Sequence, residues 1–450
     1  MQVVADLHLH SKYSRAVSPQ MTPPVMSYVG KQKGIDILST GDWTHPLWFK
    51  EIRNFLTEAE EGLYKIKNPN SGEEKTRFLL SVEIANIYSQ NGKGRRIHNL
   101  VLSPSFETSE KINKELIKRG YNISSDGRPI IGLSSKGLLE LILEIDERAM
   151  IIPCHIWTPW FGMYGASSGF NSITESFGDL SKYIYGIETG LSSDPEMNWE
   201  IEELNTRSIV SFSDAHSPAK MGREVTVFDL AEPSYTAIRE AIMAPLLTSE
   251  GKDVRNKVAY TIEFYPEEGK YHYSGHRNCK ITFTPDEQKK SGGICPVCGR
   301  KVKDGVMRRV QELASEAPRG VAKQNEKGLK WITDPKKKHP PFVKIVPLNE
   351  IIAEAIGRPV SSSKVKVLFD ELCLKLESEL HILLKANIQD IAKIAGEKVA
   401  EGVQKVRTAN IVIKPGYDGV YGVVKIWHEG KDVAKDTDIE TKKPQLGLNF

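Results

Sequence analysis

Between residue 1 and about residue 250, short apolar runs of strand type alternate with segments patterned for helices. The runs are VVADLHL, IDILST, FLLSVE, RIHNLVLS, MIIPCH, YGIETG and SIVSFSD. That alternation predicts repeated βα units, in which parallel strands open their C-terminal ends on one face and bring distant residues together. Side chains alternate along a strand, so VVADLHLH is expected to set Val4, Asp6, His8 and His10 on one side and Val3, Ala5, Leu7 and Leu9 on the other. Two imidazoles would then face the same space. Much later, IQDIAKIAGEKVAEGVQKVR places Ile388, Ile391, Ile394, Ala395, Val399, Val403 and Val406 at helical spacing, interrupted by Gly396. Core packing accounts for that stripe; a second helix offering its N-terminal amides to a phosphate is the functional alternative.

Length and composition narrow the class. At 450 residues there is room for about three domains. No segment approaches the roughly eighteen apolar residues of a membrane span, and the first residues lack the basic-then-apolar layout of a signal peptide, so a cytoplasmic protein without a membrane partner is expected. Five cysteines in so long a chain do not make a disulfide framework, and in a reducing compartment the clustered ones are expected to hold metal. The net charge is only +3, yet residues 251–345 carry 21 Lys and Arg against 11 Asp and Glu. That middle segment fits either a solvated linker or a surface for a polyanion such as nucleic acid.

Several strand-like runs end on, or just before, a metal-ligand type: His8 and His10, then Asp42, Glu83, His155, and Asp214 with His216, while His98 lies near the start of its run. So many ionisable groups brought to one rim would repel or desolvate one another without cations, and divalent ions remove that cost. Mixed imidazole and carboxylate ligands suit zinc, manganese or iron better than calcium, and eight of them can hold two or three ions. His45, Glu188 and His272 are set aside as ordinary residues.

A second metal signature stands apart. His276-x-x-Cys279 and Cys295-x-x-Cys298 have the spacing of a tetrahedral Cys3His site, which with four protein ligands is a structural zinc site. Around it lie Arg277, Lys280, Arg300, Lys301, Lys303, Arg308 and Arg309, followed by Lys336, Lys337 and Lys338, all candidates for phosphate contacts. Aromatic residues crowd the first set of motifs: Trp43 and Trp48, then Trp157, Trp160 and Phe161. They fill a barrel mouth or, for Trp43, Trp157 and Trp160, wall a pocket for a base flipped out of duplex DNA.

DLHLHSKYS, STGDW, the run ending in Glu83, His98, PCHIW and SFSDAHS together resemble the polymerase and histidinol phosphatase (PHP) family of metal-dependent phosphoesterases. The resemblance implies an α/β fold, a distorted (β/α)7 barrel. It also implies a cluster of two or three divalent ions (zinc, manganese or magnesium) on His8, His10, Asp42, Glu83, His98, His155, Asp214 and His216, with Asp214, His8 and Glu83 catalytic. Where that family often reads Thr-Asp-His, this chain has Thr40-Gly41-Asp42, a carboxylate for an imidazole. With GHRNC…CPVCGRKV and KPGYDGVYG included, nearly the whole chain resembles the endonuclease Q family of DNA repair nucleases. That resemblance implies nicking of double-stranded DNA on the 5′ side of deaminated bases (uracil, hypoxanthine, xanthine) and abasic sites, and a cytoplasmic, nucleoid-associated protein. Lys12, Arg15, Lys220 and Arg223 then become candidates for gripping phosphate oxygens, beside Arg277, Arg300 and Arg308 on the zinc module.

The expected organisation is a catalytic barrel over 1–250, a Cys3His module over 251–315, a basic linker over 316–346, a helical domain similar to a degenerate helix-hairpin-helix over 347–427, and a flexible tail over 428–450. In that tail Gln445, Leu446, Leu448 and Phe450 resemble the peptide by which bacterial proteins bind the sliding clamp. Two alternatives stay open on the barrel motifs alone: a small-molecule phosphatase acting on a substrate like histidinol phosphate, and an inert DNA- or clamp-binding scaffold.

Overall fold

The computed structural model describes residues 1–68 and 75–428. The first apolar run forms β1, Gln2–Asp6, which pairs in parallel with β2, Ile37–Ser39, as β2 does with β3, Arg77–Gln90. Then β4, Lys93–Ser103, turns back and lies antiparallel both to β3 and to β5, Met150–Pro153. Two further strands, β6 (Gly186–Glu188) and β7 (Ser208–Val210), form a parallel pair. Just past β5 the Ile156 N–H donates to the Glu188 carbonyl (3.1 Å), and just past β1 the His10 N–H donates to the Ala215 carbonyl (3.3 Å). Backbone contacts that leave β1 through β2 therefore return to it through the segment after β7.

Repeated βα units predict parallel strands throughout, and β4 departs from that. Its reversal follows from Asn91 and Gly92, both at positive φ (53° and 72°), the conformation a two-residue hairpin turn requires. One buried cluster collects Val3, Ala5 and Leu7 with Ile37, Leu79, Leu100, Ile152 and Val210. Side chains from strands all round a ring meet only in its interior. A second cluster takes the opposite strand faces, among them Leu38, Phe78, Val101, Ile151 and Ile209, and continues into the C-terminal helices. The helix Tyr235–Ser249 closes the bottom, where the Tyr235 hydroxyl donates to the carbonyls of Leu102 (3.2 Å) and Arg148 (2.8 Å).

On its other edge β1 pairs antiparallel with Val225–Asp229, and that strand with Lys257–Glu263. The sheet goes on through Phe342–Lys344, Lys330–Thr333 and Val321–Gln324. The stretch expected as a basic linker, 316–346, thus contributes three strands to this sheet. Its alternating WIT and FVK runs bury Phe342 and Val343 completely, and Trp331 packs edge-on against Tyr260 with ring centroids 5.0 Å apart. Some of its charges are paired internally: Lys336 and Lys338 reach Glu316 at 2.9 and 3.1 Å, and Arg319 reaches Asp334 at 2.8 Å.

The cysteine module is a hairpin, Ser274–His276 against Ile281–Phe283, followed by the helices Pro285–Ser291 and Val306–Leu313. Beyond it, five helices span Leu348–Ile356, Ser363–Lys375, Glu379–Leu384, Ile388–Ala395 and Glu397–Arg407. Gly396, at φ 88°, separates the last two and ends the apolar stripe. The buried Arg407 guanidinium donates to the carbonyls of Ile382, Leu383 and Ala386 and so fixes the end of the third helix. The clamp-like residues Gln445, Leu446, Leu448 and Phe450 lie outside the described residues. No helix among the described residues is long and apolar enough to cross a membrane.

Lys33 on the helix Pro23–Lys33 meets Glu379 at 2.5 Å with both side chains buried, and Glu379 also accepts the Leu348 N–H at 2.8 Å. This pair pins the C-terminal helices to the strand ring. Glu379→Ala leaves a buried ammonium alone and is expected to cost about 3–5 kcal/mol, measured as a lowered midpoint in urea unfolding; an effect within error of zero contradicts the role.

Candidate metal centre

β1 stops at Asp6, before the histidines. Leu7 and Leu9 fall in different apolar clusters, so the alternation expected through residue 10 breaks where the strand ends. Asp6 accordingly does not join the histidines. It accepts the Ser213 N–H and hydroxyl (3.0 and 2.6 Å) and the Gly222 N–H (2.9 Å), and burial lifts its carboxyl to about 6. His8 and His10 still converge, with ring centroids 5.4 Å apart, both completely buried.

Each imidazole is oriented from behind by a carboxylate. His8 Nδ1 donates to Glu188 at 2.9 Å, and His10 Nδ1 to Asp42 at 3.1 Å, which leaves both Nε2 atoms turned towards Glu83 and Asp214. His10 Nε2 lies 3.2 Å from Glu83 and 3.1 Å from Asp214; His8 Nε2 lies 3.8 and 3.7 Å from the same two residues. One donor atom from each of His8, His10, Glu83 and Asp214 sits within 4.8 Å of the other three. His155 Nε2 approaches the second Glu83 oxygen at 3.1 Å, and His98 Nδ1 hydrogen-bonds that same oxygen. His98 gets there because β4 is antiparallel: Ala85 of β3 pairs with it directly, which sets His98 across the hairpin from the segment that carries Glu83.

Three of these residues adopt strained backbone. Asp42, His155 and Asp214 have φ of 51°, 28° and 46°, a region costing a non-glycine residue roughly 1–3 kcal/mol. The sharp turns come directly after strands, where they aim side chains across the ring mouth. Gly127 packs where a Cβ would come within 2.4 Å of both the Asp42 carboxylate and the Ser14 hydroxyl, which brings its neighbour Arg128 to Glu83 at 3.0 Å.

The buried acids and imidazoles are tightly coupled. Burial opposes ionisation of Glu83, but His98, Arg128 and the hydrogen bonds from His10 and His155 hold it well below the usual carboxylate range. Burial would lower His8, but the Glu188 and Asp214 carboxylates hold it well above its ordinary value. Burial pushes the His98 and His216 imidazoles down to about 4. His8 Nε2 is buried with no hydrogen-bond partner although it faces two carboxylates. An unpartnered imidazole nitrogen among acidic oxygens, its other nitrogen fixed by a carboxylate, fits a divalent cation.

The eight expected ligands do not play equal parts. His8, His10, Glu83 and Asp214 form the cage, with His98 and His155 on its Glu83 side. Asp42 spends one oxygen on His10 and the other on the Ser11 N–H (2.6 Å) and the Ser14 hydroxyl (2.8 Å), so it stands behind the cage. His216 stacks on His10, ring centroids 4.7 Å apart. Glu188, set aside from the sequence, lies in the centre with Cys154, whose thiol burial keeps protonated. Like the others it ends a strand run, the one signal that could have found it. Arg128 carried no signal.

The aromatic expectation needs correction. Trp43 is 0% and Trp157 1% exposed, core residues with no face to offer a base, and Trp48 is equally buried. Only Trp160 of the three base-pocket candidates reaches the surface, packed against Tyr271 (5.4 Å) beneath Lys303 (4.7 Å). Of the rim cations, Lys12 is paired with Glu51 and Arg223 donates to the Ser213 carbonyl, while Arg15 and Lys220 are exposed. Arg277 and Arg300 are exposed and Arg308 is half-buried. Arg309 is buried on the carbonyls of Tyr164 and Phe170 and has no surface to give a phosphate.

His276, Cys279, Cys295 and Cys298 gather as a second four-donor group. Burial raises the Cys295 thiol, but the N–H groups of Cys298 and Val297 outweigh it and draw the thiol down to about 6, towards the thiolate a metal requires.

Residues 347–410 match the family described as the MJ0043 C-terminal domain. The protein MJ0043 of Methanocaldococcus jannaschii is 31% identical over 275 residues, 60% of this chain; the match spans about a third (31%) of that protein's length. Two crystal structures superpose over nearly the whole chain. The lesion-specific endonuclease PfuEndoQ from Pyrococcus furiosus is 29% identical, with 94% of this chain and 95% of that one covered and a TM-score of 0.78. Endonuclease Q in complex with a 27-mer duplex substrate, an abasic lesion at its active site, is 30% identical, with 95% and 98% covered and a TM-score of 0.78.

Two measurements check these centres. Glu188→Ala frees His8 to rotate and is expected to weaken divalent-ion binding by about 10–100-fold in calorimetric titration; unchanged affinity contradicts the orienting role. Cys295→Ser is expected to lose one metal ion per chain by elemental analysis and to lower the melting temperature.

Proposed function

The chain belongs to the endonuclease Q family, and from that premise we propose that it is a metal-dependent DNA repair endonuclease acting on damaged double-stranded DNA. It hydrolyses the phosphodiester on the 5′ side of deaminated bases (uracil, hypoxanthine, xanthine) and of abasic sites. The observation that carries the reading is the likeness, over 95% of the chain, to an enzyme solved with an abasic duplex at its active site. The strand ring is read as the distorted (β/α)7 PHP barrel, and the Cys3His group as a structural zinc site.

His8, His10, Glu83 and Asp214 hold the catalytic cations, with His98, His155 and His216 completing the set and Asp42 and Glu188 orienting the first two. Two or three bound divalent ions, zinc, manganese or magnesium, supply Lewis acidity and lower the pKa of a water. Everything else falls to the chain. Fixing both Nδ1 atoms on carboxylates keeps the Nε2 lone pairs turned inwards. Arg128 spends one nitrogen on Glu83 and stays 26% exposed, which leaves donors for a non-bridging phosphate oxygen. Arg15 and Lys220 grip phosphates further out. Trp160 is the aromatic face left for a base. The tail sequence QLGLNF serves as a sliding-clamp peptide.

Asp214→Asn removes the charge while keeping a residue type that tolerates positive φ. On an end-labelled duplex with one deoxyuridine or abasic site and added Mg²⁺ or Mn²⁺, the native chain is expected to nick 5′ of the lesion and the variant to fall to background with duplex binding retained. Full nicking by the variant refutes the assignment, and hydrolysis of histidinol phosphate without nicking refutes the nuclease reading.

A further inference from the structure

The helix Ser363–Lys375 turns Val365, Leu372 and Cys373 into the core, yet its Val367 and Leu374 stay 62% and 85% exposed. Seven residues apart, these two share one face of the helix and lie about 10 Å from each other along its axis. Each end of that stripe opens into a cleft. Val367 lines one of about 480 Å³ with Ile356, Leu368, Arg358 and Lys364. Leu374 lines the other, of about 950 Å³, with Val25, Phe55, Ile66 and Tyr28, the last of them 56% exposed. An apolar stripe with a cleft at either end is an interaction surface.

Three observations say what covers it. The described chain ends beside the first cleft: the N–H groups of Ile426 and Trp427 donate to Glu354 at 3.0 and 3.1 Å, two residues before Ile356. Of the residues outside the described structure, 69–74 read PNSGEE and carry no large apolar side chain, whereas 429–450 include Leu446, Leu448 and Phe450. The charges also match. Arg358 and Lys364 are exposed and form no ion pair among the described residues, and Asp436, Asp438 and Glu440 precede the apolar side chains.

We propose that residues 429–450 fold back along this helix, with Asp436, Asp438 and Glu440 at the cationic cleft and Leu446, Leu448 and Phe450 on the stripe and in the cleft at Tyr28. In an extended segment alternate side chains share a side, so those three make one apolar edge about 13 Å long, a match for the stripe and the cleft it opens into. The sixteen residues 429–444 reach up to about 50 Å, ample for a helix about 18 Å long. Tethering holds the segment at an effective concentration of about millimolar, so even a weak seat is filled. The seat takes the same residues read above as a clamp peptide, so a partner of that peptide must first displace it from the helix.

Leu374→p-benzoylphenylalanine in the intact chain, irradiated at high dilution and mapped by mass spectrometry, is expected to link position 374 to residues 445–450 of the same chain. Adding Leu446→Ser, Leu448→Ser and Phe450→Ser is expected to remove the link. The same photoreactive group in place of Ile130, 60% exposed beside β3, is expected to capture none of the segment. Links that join two chains overturn the proposal in favour of a second copy. Equal capture at both positions overturns it in favour of a segment with no seat, and no link at position 374 overturns it outright. A second readout needs no photochemistry. Leu374→Asp, at a side chain too exposed to support the fold, is expected to speed trypsin cleavage after Lys442 by about tenfold, because proteolysis follows the population of the open form. An unchanged rate overturns the proposal as well.

Discussion

The Glu83 carboxylate is the point on which the structure turns. It is completely buried at the mouth of the strand ring, where an isolated carboxylate would be several kcal/mol too costly to keep ionised. His10 and Arg128 meet one oxygen, His98 and His155 the other. These four partners come from four separate stretches of chain. Holding that one charge therefore requires the end of β1, the β3–β4 hairpin, the loop at residue 128 and the end of β5 to meet at a single place. The same convergence gathers the remaining donors.

Much of this was legible in the chain. Apolar runs closing on His, Asp or Glu marked His8, His10, His155 and Asp214, because just past a strand is where a side chain leaves the packed interior and reaches the mouth; Glu83 was marked by the same rule although its strand runs on to Gln90. The Cys3His spacing was equally plain. What failed did so for physical reasons. His98 broke the pattern because Asn91-Gly92 reverses the chain, a turn signal present in the sequence but outweighed by the expectation of parallel strands. Alternation placed Asp6 beside the histidines, but the strand ends there and the backbone turns. Residues 316–346 looked like a linker because their lysines dominate the composition, while the buried Phe342 and Val343 decide the structure. Tryptophans beside the metal motifs suggested a pocket, and depth, which sequence does not record, made two of the three base-pocket candidates core. Glu188 and Arg128 act through partners far away in sequence, and one chain alone does not reveal such pairings.

The parts outside the ring share its apolar core. The second buried cluster passes from the ring's outer strand faces to the C-terminal helices without interruption. The Lys33–Glu379 pair and the Arg407 guanidinium, which bonds three carbonyls, fix those helices against the ring and against each other. The cysteine module is held on the other flank by the buried Arg309, which reaches across to the loop following His155. Surfaces on both flanks thus keep a set distance from the metal cage.

The closing contact between Leu9 and Ala215 carries a consequence for how the molecule assembles. Glu83 and His98 sit on one hairpin and can meet within microseconds, whereas His8 and Asp214 meet only after about two hundred residues of loop have been closed, an entropic cost that grows with loop length. The Glu83–His98 contact is local in the chain, and the His8–Asp214 contact is among the most distant. A divalent ion held by this group would bind the finished arrangement and not its open precursors, and would thereby act by mass action as a latch on the closed ring.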